Sequence, residues 1–407
     1  MKNLSEEIFA AICSNSYLQG FVFHSPKYYD PTEKEAGDVV LWVRSHLIVF
    51  EILWRNTSSS GSTRQFIKRI GEKRDQLVND FDAFSRQPTI KMKNVAGEDM
   101  EYISDYFEEG GFCGIVIVDT NTALEPLHFE TLRKSLDQQF PIAILTKRDF
   151  LDILEEVDTV ADLRYYLMDR TKFMKQVLDK SAAVFLNLNK SIERNLVAFY
   201  KMHNNQFPVD KWQQESAYSY WDQYQVNFTQ RLNARRNEHE QTFILDEITS
   251  LLRSNNSEGN QTLLHSWELA VLPRRARVKI ASKVEAALNS MQEGRASRHF
   301  AFLNPVTLCW NLFYFQYGGS IESFRPKAEE LTKLKIQLEI AERKFCYSVL
   351  CFAFRKSMIH THSTFDNVIL LVEDADKQSA ISQEDYSKAK EYFGGPTDAV
   401  QIVEFPT

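Results

Sequence analysis

The chain has 407 residues, more than one hydrophobic core commonly organises, so two domains are expected. Its 43% hydrophobic, 13% aromatic and 25% charged residues exclude a disordered chain, and 29 Phe supply material for a large core. A formal charge of −7 excludes a surface uniformly adapted to nucleic acid, which leaves a local basic groove as the place for phosphate contacts.

Five cysteines, Cys13, Cys113, Cys309, Cys346 and Cys351, are odd in number and scattered, several of them within apolar stretches. A reducing, cytoplasmic compartment is the expectation. The opening segment carries Glu6 and Glu7 where a secretory leader would carry basic residues followed by an apolar run. No stretch approaches the roughly 18 to 20 consecutive apolar residues that span a bilayer. A soluble protein without a membrane partner follows.

In chain order, residues 5–18 place Ile8, Phe9, Ile12 and Leu18 at helical spacing, and Phe21-Val22-Phe23 begins a strand. A polar turn with Pro26 and Pro31 leads to two apolar runs, Asp38–Val43 and Leu47–Trp54, separated by Arg44, Ser45 and His46, which predicts a hairpin. The Ser58–Ser62 segment is a loop, Thr63 caps a helix over 64–80, and Gly114–Val118 is a buried strand after a polar insertion. Pro141–Thr146 closes the first domain, with the boundary near 147. From 148 to 407 the pattern is mostly helical, with long helices over 211–253, 262–293 and 326–357. Short apolar segments at 300–303, 368–372 and 400–405 are expected to form a small sheet, giving an α+β second domain. No repeat or long heptad seam is present.

The run Glu35-Ala36-Gly37-Asp38-Val39-Val40-Leu41, followed by Ile48-Val49-Phe50-Glu51-Ile52-Leu53-Trp54, carries the chemistry. Side chains alternate along a strand, so Glu51 and Leu53 share a face, and the hairpin brings Asp38 across from them. Glu51 is the one residue from Leu47 to Trp54 that is not apolar, and a carboxylate in such a setting is expensive to bury unpaired. This pattern resembles the PD-(D/E)xK nucleases, in particular the Mrr-like and NERD-like branch, over roughly residues 5–120. The resemblance implies an αβββαβ restriction-endonuclease-like core and Mg2+ or Mn2+ held by Asp38 and Glu51. It also implies hydrolysis of nucleic-acid phosphodiesters, in the setting of bacterial defence. The family's Lys, two residues after the Glu, is Leu53 here.

Lys68, on the helix after the hairpin, is the substitute this reading selects for the missing Lys, against a solvated helix face. Arg55 and Arg64 are candidates for phosphate binding, because an arginine stays charged and cannot act as a base. Glu6 and Glu7 resemble an accessory acidic position, although acids are also favoured in a first helical turn by the macrodipole. In the second region Arg274, Arg275 and Arg277 follow Pro273 in a basic run that suits either phosphate contacts or a solvated face. His360-Thr361-His362 and the Cys346/Cys351 pair lack the partners of a zinc set. Residues 149–167 are similar to a helix, turn and helix following nuclease-like domains, with Thr159 as N-cap and Asp162 three residues on.

Three readings stay open: a metal-dependent nuclease with Asp38, Glu51 and Lys68 in catalytic roles, an inactive nuclease fold kept as a binding or assembly module, and a purely structural interaction protein unrelated to nucleic acid, which the net negative charge keeps alive. Nucleic acid is the partner in the first; a protein partner or a second copy of the chain is the partner in the second.

Overall fold

A computed structural model describes residues 8, 12, 20–29, 32–54, 63–94, 99–119, 133–180, 192–212, 219–226, 228–254, 266–292, 297–342, 348–356, 367–375 and 381–393. The chain is a mixed α/β protein of two compact units, Met1–Arg235 and Arg236–Thr407.

The first unit is built on a five-stranded sheet in the order β1 (Val22–His24), β4 (Val39–Val43), β5 (His46–Trp54), β8 (Phe112–Asp119), β9 (Ile142–Thr146). β1, β4 and β5 are antiparallel neighbours, and β5, β8 and β9 run parallel. The hairpin turn is tight, since Val43 faces His46 and Arg44 takes a positive φ of 55°. Strands covered on both faces read as continuous apolar runs, and β5 and β8 do so because helices lie above and below them. Helix α1 (Thr63–Arg86) packs on one face of β5 and β8; α2 (Lys147–Glu156) and α3 (Val160–Lys180) pack on the other. Phe50 meets Phe150 of α2 edge to face at 5.6 Å, whereas Glu51, one residue on, points toward α1.

Two features of this unit depart from the sequence reading. The polar turn and polar insertion pair with each other, forming a second sheet β3 (Glu33–Glu35), β2 (Lys27–Tyr29), β6 (Ile90–Lys93), β7 (Asp99–Tyr102). Its alternation of buried Ile90, Met92, Met100 and Tyr102 with exposed charges is the signature of a one-sided antiparallel sheet, diluted by strands of only three and four residues. The boundary expected at 147 also falls inside the first unit. Helices α2 and α3 cover the sheet face that Phe50 occupies, so a cut there would expose it. Helices α4 (Ile192–Met202) and α5 (Tyr220–Gln225) complete this unit with an aromatic cluster around Phe173, Phe199 and Trp212. Thr159 caps α3 as expected, its hydroxyl accepting from the Asp162 N–H at 3.1 Å and donating to the Asp162 carboxylate at 2.6 Å. The first helix is described only at Ile8 and Ile12, both helical and buried; Glu6, Glu7 and the 58–62 loop lie outside the described residues.

The second unit carries a larger sheet than the sequence reading allowed: β10 (Ser297–Leu303), β11 (Trp310–Tyr317), β12 (Ser348–Lys356), β13 (Asn367–Asp374), in that order, with β11 and β12 parallel. One face takes helices α6 (Phe228–Ser254) and α7 (Arg274–Gln292) against Phe302, Phe313, Phe315, Phe352 and Phe354. The other takes α8 (Ile321–Ala341). The helix expected over 326–357 therefore ends near Ala341, and Ser348–Lys356 is a strand. Covered on both sides, β12 has no polar alternation, and an unbroken apolar run of that length fits a helix segment equally well. Helix α9 (Gln383–Phe393) closes the described part of the chain, and the 400–405 segment lies outside it.

Gly37 sets the hairpin's approach to the site. Its φ is +88°, and a Cβ placed there would stand 2.5 Å from Val49 Cγ1. Gly37→Ala is expected to destabilise the protein by about 1–3 kcal/mol, because it combines left-handed strain with a clash against a buried strand. A urea unfolding series checks this, and an unchanged midpoint would contradict it.

Candidate active site

Asp38 lies between Gly37 and the first residue of β4. The Asp38 N–H donates to Phe50 O at 3.0 Å, while its Oδ2 accepts the Ile52 N–H at 2.6 Å, so the backbone of β5 fixes it at two points. Glu51 sits at mid-sheet, paired with Val116 of β8, with 0% of its surface exposed. The amine that answers these carboxylates comes from Lys73 on α1. Its Nζ donates to Glu51 Oε2 at 2.5 Å and to Asp38 Oδ2 at 3.2 Å.

Helix α1 brings this about through its inward stripe, the buried Phe66, Ile70, Leu77, Asp80 and Phe84 with the half-buried Lys73 among them, spaced by three and four residues. Two of the six are charged types. Leu77, between them, packs against Gly114 of β8, where a Cβ would stand 2.9 Å from Leu77 Cδ1. The absent side chain lets the helix approach the sheet closely enough for Lys73 and Asp80, about two turns apart, to reach Glu51. Asp80 is buried, close enough to Glu51 for each carboxyl to feel the other's charge. Glu51 Oε1 and Asp80 Oδ2 are buried and have no hydrogen-bond partner among the described residues.

The electrostatics follow from burial. Desolvation, then the Asp38 charge, raise the Glu51 pKa from 4.5 to about 7, even though Lys73 opposes the rise. Desolvation and the neighbouring Glu51 raise Asp80 from 3.8 to about 9. Burial disfavours the Lys73 ammonium, yet Glu51 and Asp38 outweigh it and hold its pKa above the ordinary value. At neutral pH Lys73 is therefore a charged donor and not a base.

Among the described residues no group of three or more His, Cys, Asp or Glu is arranged to hold a metal ion by itself. Mg2+ needs less, since it is commonly held by one or two carboxylates together with water and substrate oxygens. Asp38 and Glu51 meet that requirement: both are hard oxygen donors, and Glu51 Oε1 is a buried oxygen without a hydrogen-bond donor.

The remaining expected residues are placed as follows. Lys68 has 79% of its side chain exposed and pairs with Glu72 at 3.6 Å, so its ammonium is directed away from the carboxylates. The helix is the one expected, but the amine comes five residues later. Leu53 is buried on the Glu51 face, and Arg64 is exposed at the start of α1. Arg55 lies outside the described residues. In the second unit the basic run is not one surface. Arg277 is fully buried, pairs with Asp246 and donates to Leu269 O at 2.7 Å, which makes it a core arginine and corrects its assignment to phosphate. Arg274 donates to Thr242 Oγ1 at 2.9 Å, and Arg275 is exposed. The sequence reading missed Lys73 and Asp80. The three-and-four spacing of α1 was the signal, because it places both on the apolar stripe.

These observations define a mixed α/β protein with a buried carboxylate–ammonium centre at the middle of its first sheet. The chain matches no family model, no curated protein and no solved structure. No helix among the described residues is long and apolar enough to cross a membrane.

A pH dependence follows from the raised carboxyl groups. Below about pH 4 these carboxyls are protonated in both folded and unfolded chains; from there to about pH 9 the folded chain keeps protons that the unfolded chain releases, so stability falls as pH rises. Asp38 and Lys73 face the same carboxyls, but Asp80 shows the larger shift. Asp80→Asn is therefore expected to flatten the decline in melting temperature between about pH 5 and about pH 9. Parallel curves for variant and wild type would mean that Asp80 ionises as an ordinary carboxyl.

Proposed function

We propose that the first unit acts on nucleic acid as a metal-dependent phosphodiesterase of the PD-(D/E)xK type, with Asp38 and Glu51 as the acidic pair and Lys73 as the motif amine supplied from a helix. The observation that carries this reading is the position of Lys73 Nζ, within hydrogen-bonding reach of both carboxylates. The arrangement of β1, β4 and β5 as antiparallel neighbours, followed by α1 and the parallel strand β8, supports it, because these described elements follow the βββαβ part of the αβββαβ core.

Asp38 and Glu51 would hold Mg2+ or Mn2+, which supplies Lewis-acid polarisation of a phosphoryl oxygen and lowers the pKa of bound water. Asp38 is held by two backbone contacts and Glu51 by the sheet, so neither carboxylate must be ordered at the moment of reaction. Lys73, half-buried with 23% of its side chain exposed, keeps a fixed positive charge beside the acidic pair, where negative charge grows as a water oxygen adds to phosphorus. Leu53 gives the site an apolar, buried neighbour beside Glu51, and charge interactions are stronger where the surroundings are apolar.

Lys73→Met is expected to lower Mn2+-dependent cleavage of DNA or RNA on the order of a hundredfold or more, while Lys68→Ala leaves it unchanged. Adding Leu53→Lys to Lys73→Met returns an ammonium to the strand position of the family pattern and is expected to recover part of the loss. Melting curves accompany each assay, because a lysine at buried position 53 also costs stability. A folded wild type that leaves single- and double-stranded DNA and RNA uncut with both Mg2+ and Mn2+ would overturn this reading in favour of a binding or assembly module.

A further inference from the structure

Helix α9 is joined to the second unit by charge more than by packing. Its start is capped locally, since Ser382 Oγ accepts the Asp385 N–H at 3.0 Å and donates to the Asp385 carboxylate at 2.8 Å. Along the helix only Ala389 is buried, while Tyr386, Tyr392 and Phe393 are half-buried. It packs on α8, where Glu330, Leu334, Leu338 and Glu342 recur every four residues and set two apolar side chains between two acids. Each acid meets a lysine of α9: Lys388 pairs with Glu330, and Lys390 pairs with Glu342. Lys327 of α8 joins the first pair, donating to Glu330 at 2.9 Å and to the Tyr392 hydroxyl at 3.2 Å. Beside this contact the Lys335 ammonium donates to Glu339 at 2.5 Å. It stands 3.5 Å from the ring centre of Trp310 in β11 and 5.5 Å from that of Phe393 in α9.

Contacts of this kind hold a helix weakly. The Lys388 and Lys390 side chains are 42% and 43% exposed, and ion pairs open to solvent contribute little and lose strength as salt screens them. The pair of Lys335 and Glu339, 4% and 1% exposed, works against closure, because keeping two charges away from water is costly. A helix as short as α9 is also marginal by itself in water, so leaving α8 and losing helical form go together. We propose that α9 is a strap latched by charge, which leaves α8 as ionic strength rises while the rest of the second unit stays folded. Its release bares Leu334 and Leu338 and removes Phe393 from the side of the Lys335–Glu339 pair. The inference is independent of the carboxylate–ammonium centre in the first unit.

Hydrogen exchange of the full chain, read by mass spectrometry on peptides from α9, α8 and β12, tests this at about 0.05 M and about 0.5 M NaCl. Amides of α9 are expected to exchange about fivefold faster at the higher salt, with those of β12 unchanged. Glu330→Gln takes the charged acceptor from both Lys388 and Lys327. It is expected to speed α9 exchange about fivefold at low salt and to remove most of the salt effect. Lys388→Gln, at an exposed position, breaks one pair and is expected to fall between Glu330→Gln and the wild type. If α9 exchanges as slowly as β12 at both salts, it opens only with the whole unit and the proposal fails. Fast exchange of α9 that is equal at both salts overturns it too, because charge then holds nothing. Wild-type exchange in Glu330→Gln has the same consequence. Should Glu330→Gln also expose β12, that variant has lost the fold of the unit, and Lys388→Gln decides by the same measure.

Discussion

A carboxylate at the centre of a covered sheet is the constraint on which the first unit depends. Glu51 is fully buried, flanked along its strand by apolar side chains and across it by Val116. Removing such a charge from water costs several kcal/mol unless a partner is supplied. The fold supplies one from a helix that would otherwise present an unbroken apolar stripe. Gly114 leaves room for Leu77, Leu77 brings the helix close, and closeness brings Lys73 within 2.5 Å. The positive φ of Gly37 does the corresponding service for Asp38 on the hairpin side. Two glycines and one lysine thus make a polar centre tolerable inside an apolar layer.

How much of this was legible in the sequence depended on whether neighbours along the chain or across the fold carried the information. The hairpin, Asp38, and the anomaly of Glu51 in an apolar run are local, and they could be read directly. Leu53, buried on the Glu51 face, leaves that strand without an amine of its own. What supplies it was not local. Lys73 lies 22 residues from Glu51, and Lys68 stood on the same helix with an equally good charge. Only the helical phase distinguishes them: position 73 shares a face with Ile70, Leu77 and Phe84, whereas position 68 shares one with Glu72. Asp80 was passed over for the same reason, since an isolated acid in a charged helix looks solvated until its face is worked out.

The second unit shows the complementary limit. Its sheet is sandwiched between helices, so its strands lose the period-two pattern that identifies a strand facing water, and β12 was absorbed into a helix. The basic run after Pro273 illustrates a related point. Charge density along the chain does not fix exposure, and Arg277, three residues from the exposed-looking start of that run, is a buried partner of Asp246.

The position of Lys73 on a helix, and not on the strand of Glu51, also bears on how this unit assembles. In a strand carrying both groups, two residues of covalent backbone hold acid and base side by side as soon as the strand is extended. Here the hairpin can form while its central glutamate is still hydrated, but the sheet cannot be covered over Glu51 until α1 arrives with its counter-charge. Burial of the strand and docking of the helix are thereby coupled into one event, with little stability available to a half-covered sheet. A partly assembled chain therefore gains little from closing over an unpaired charge. The same ionic contact that joins Lys73 to Asp38 and Glu51 thus ties the covering of the sheet to the docking of α1.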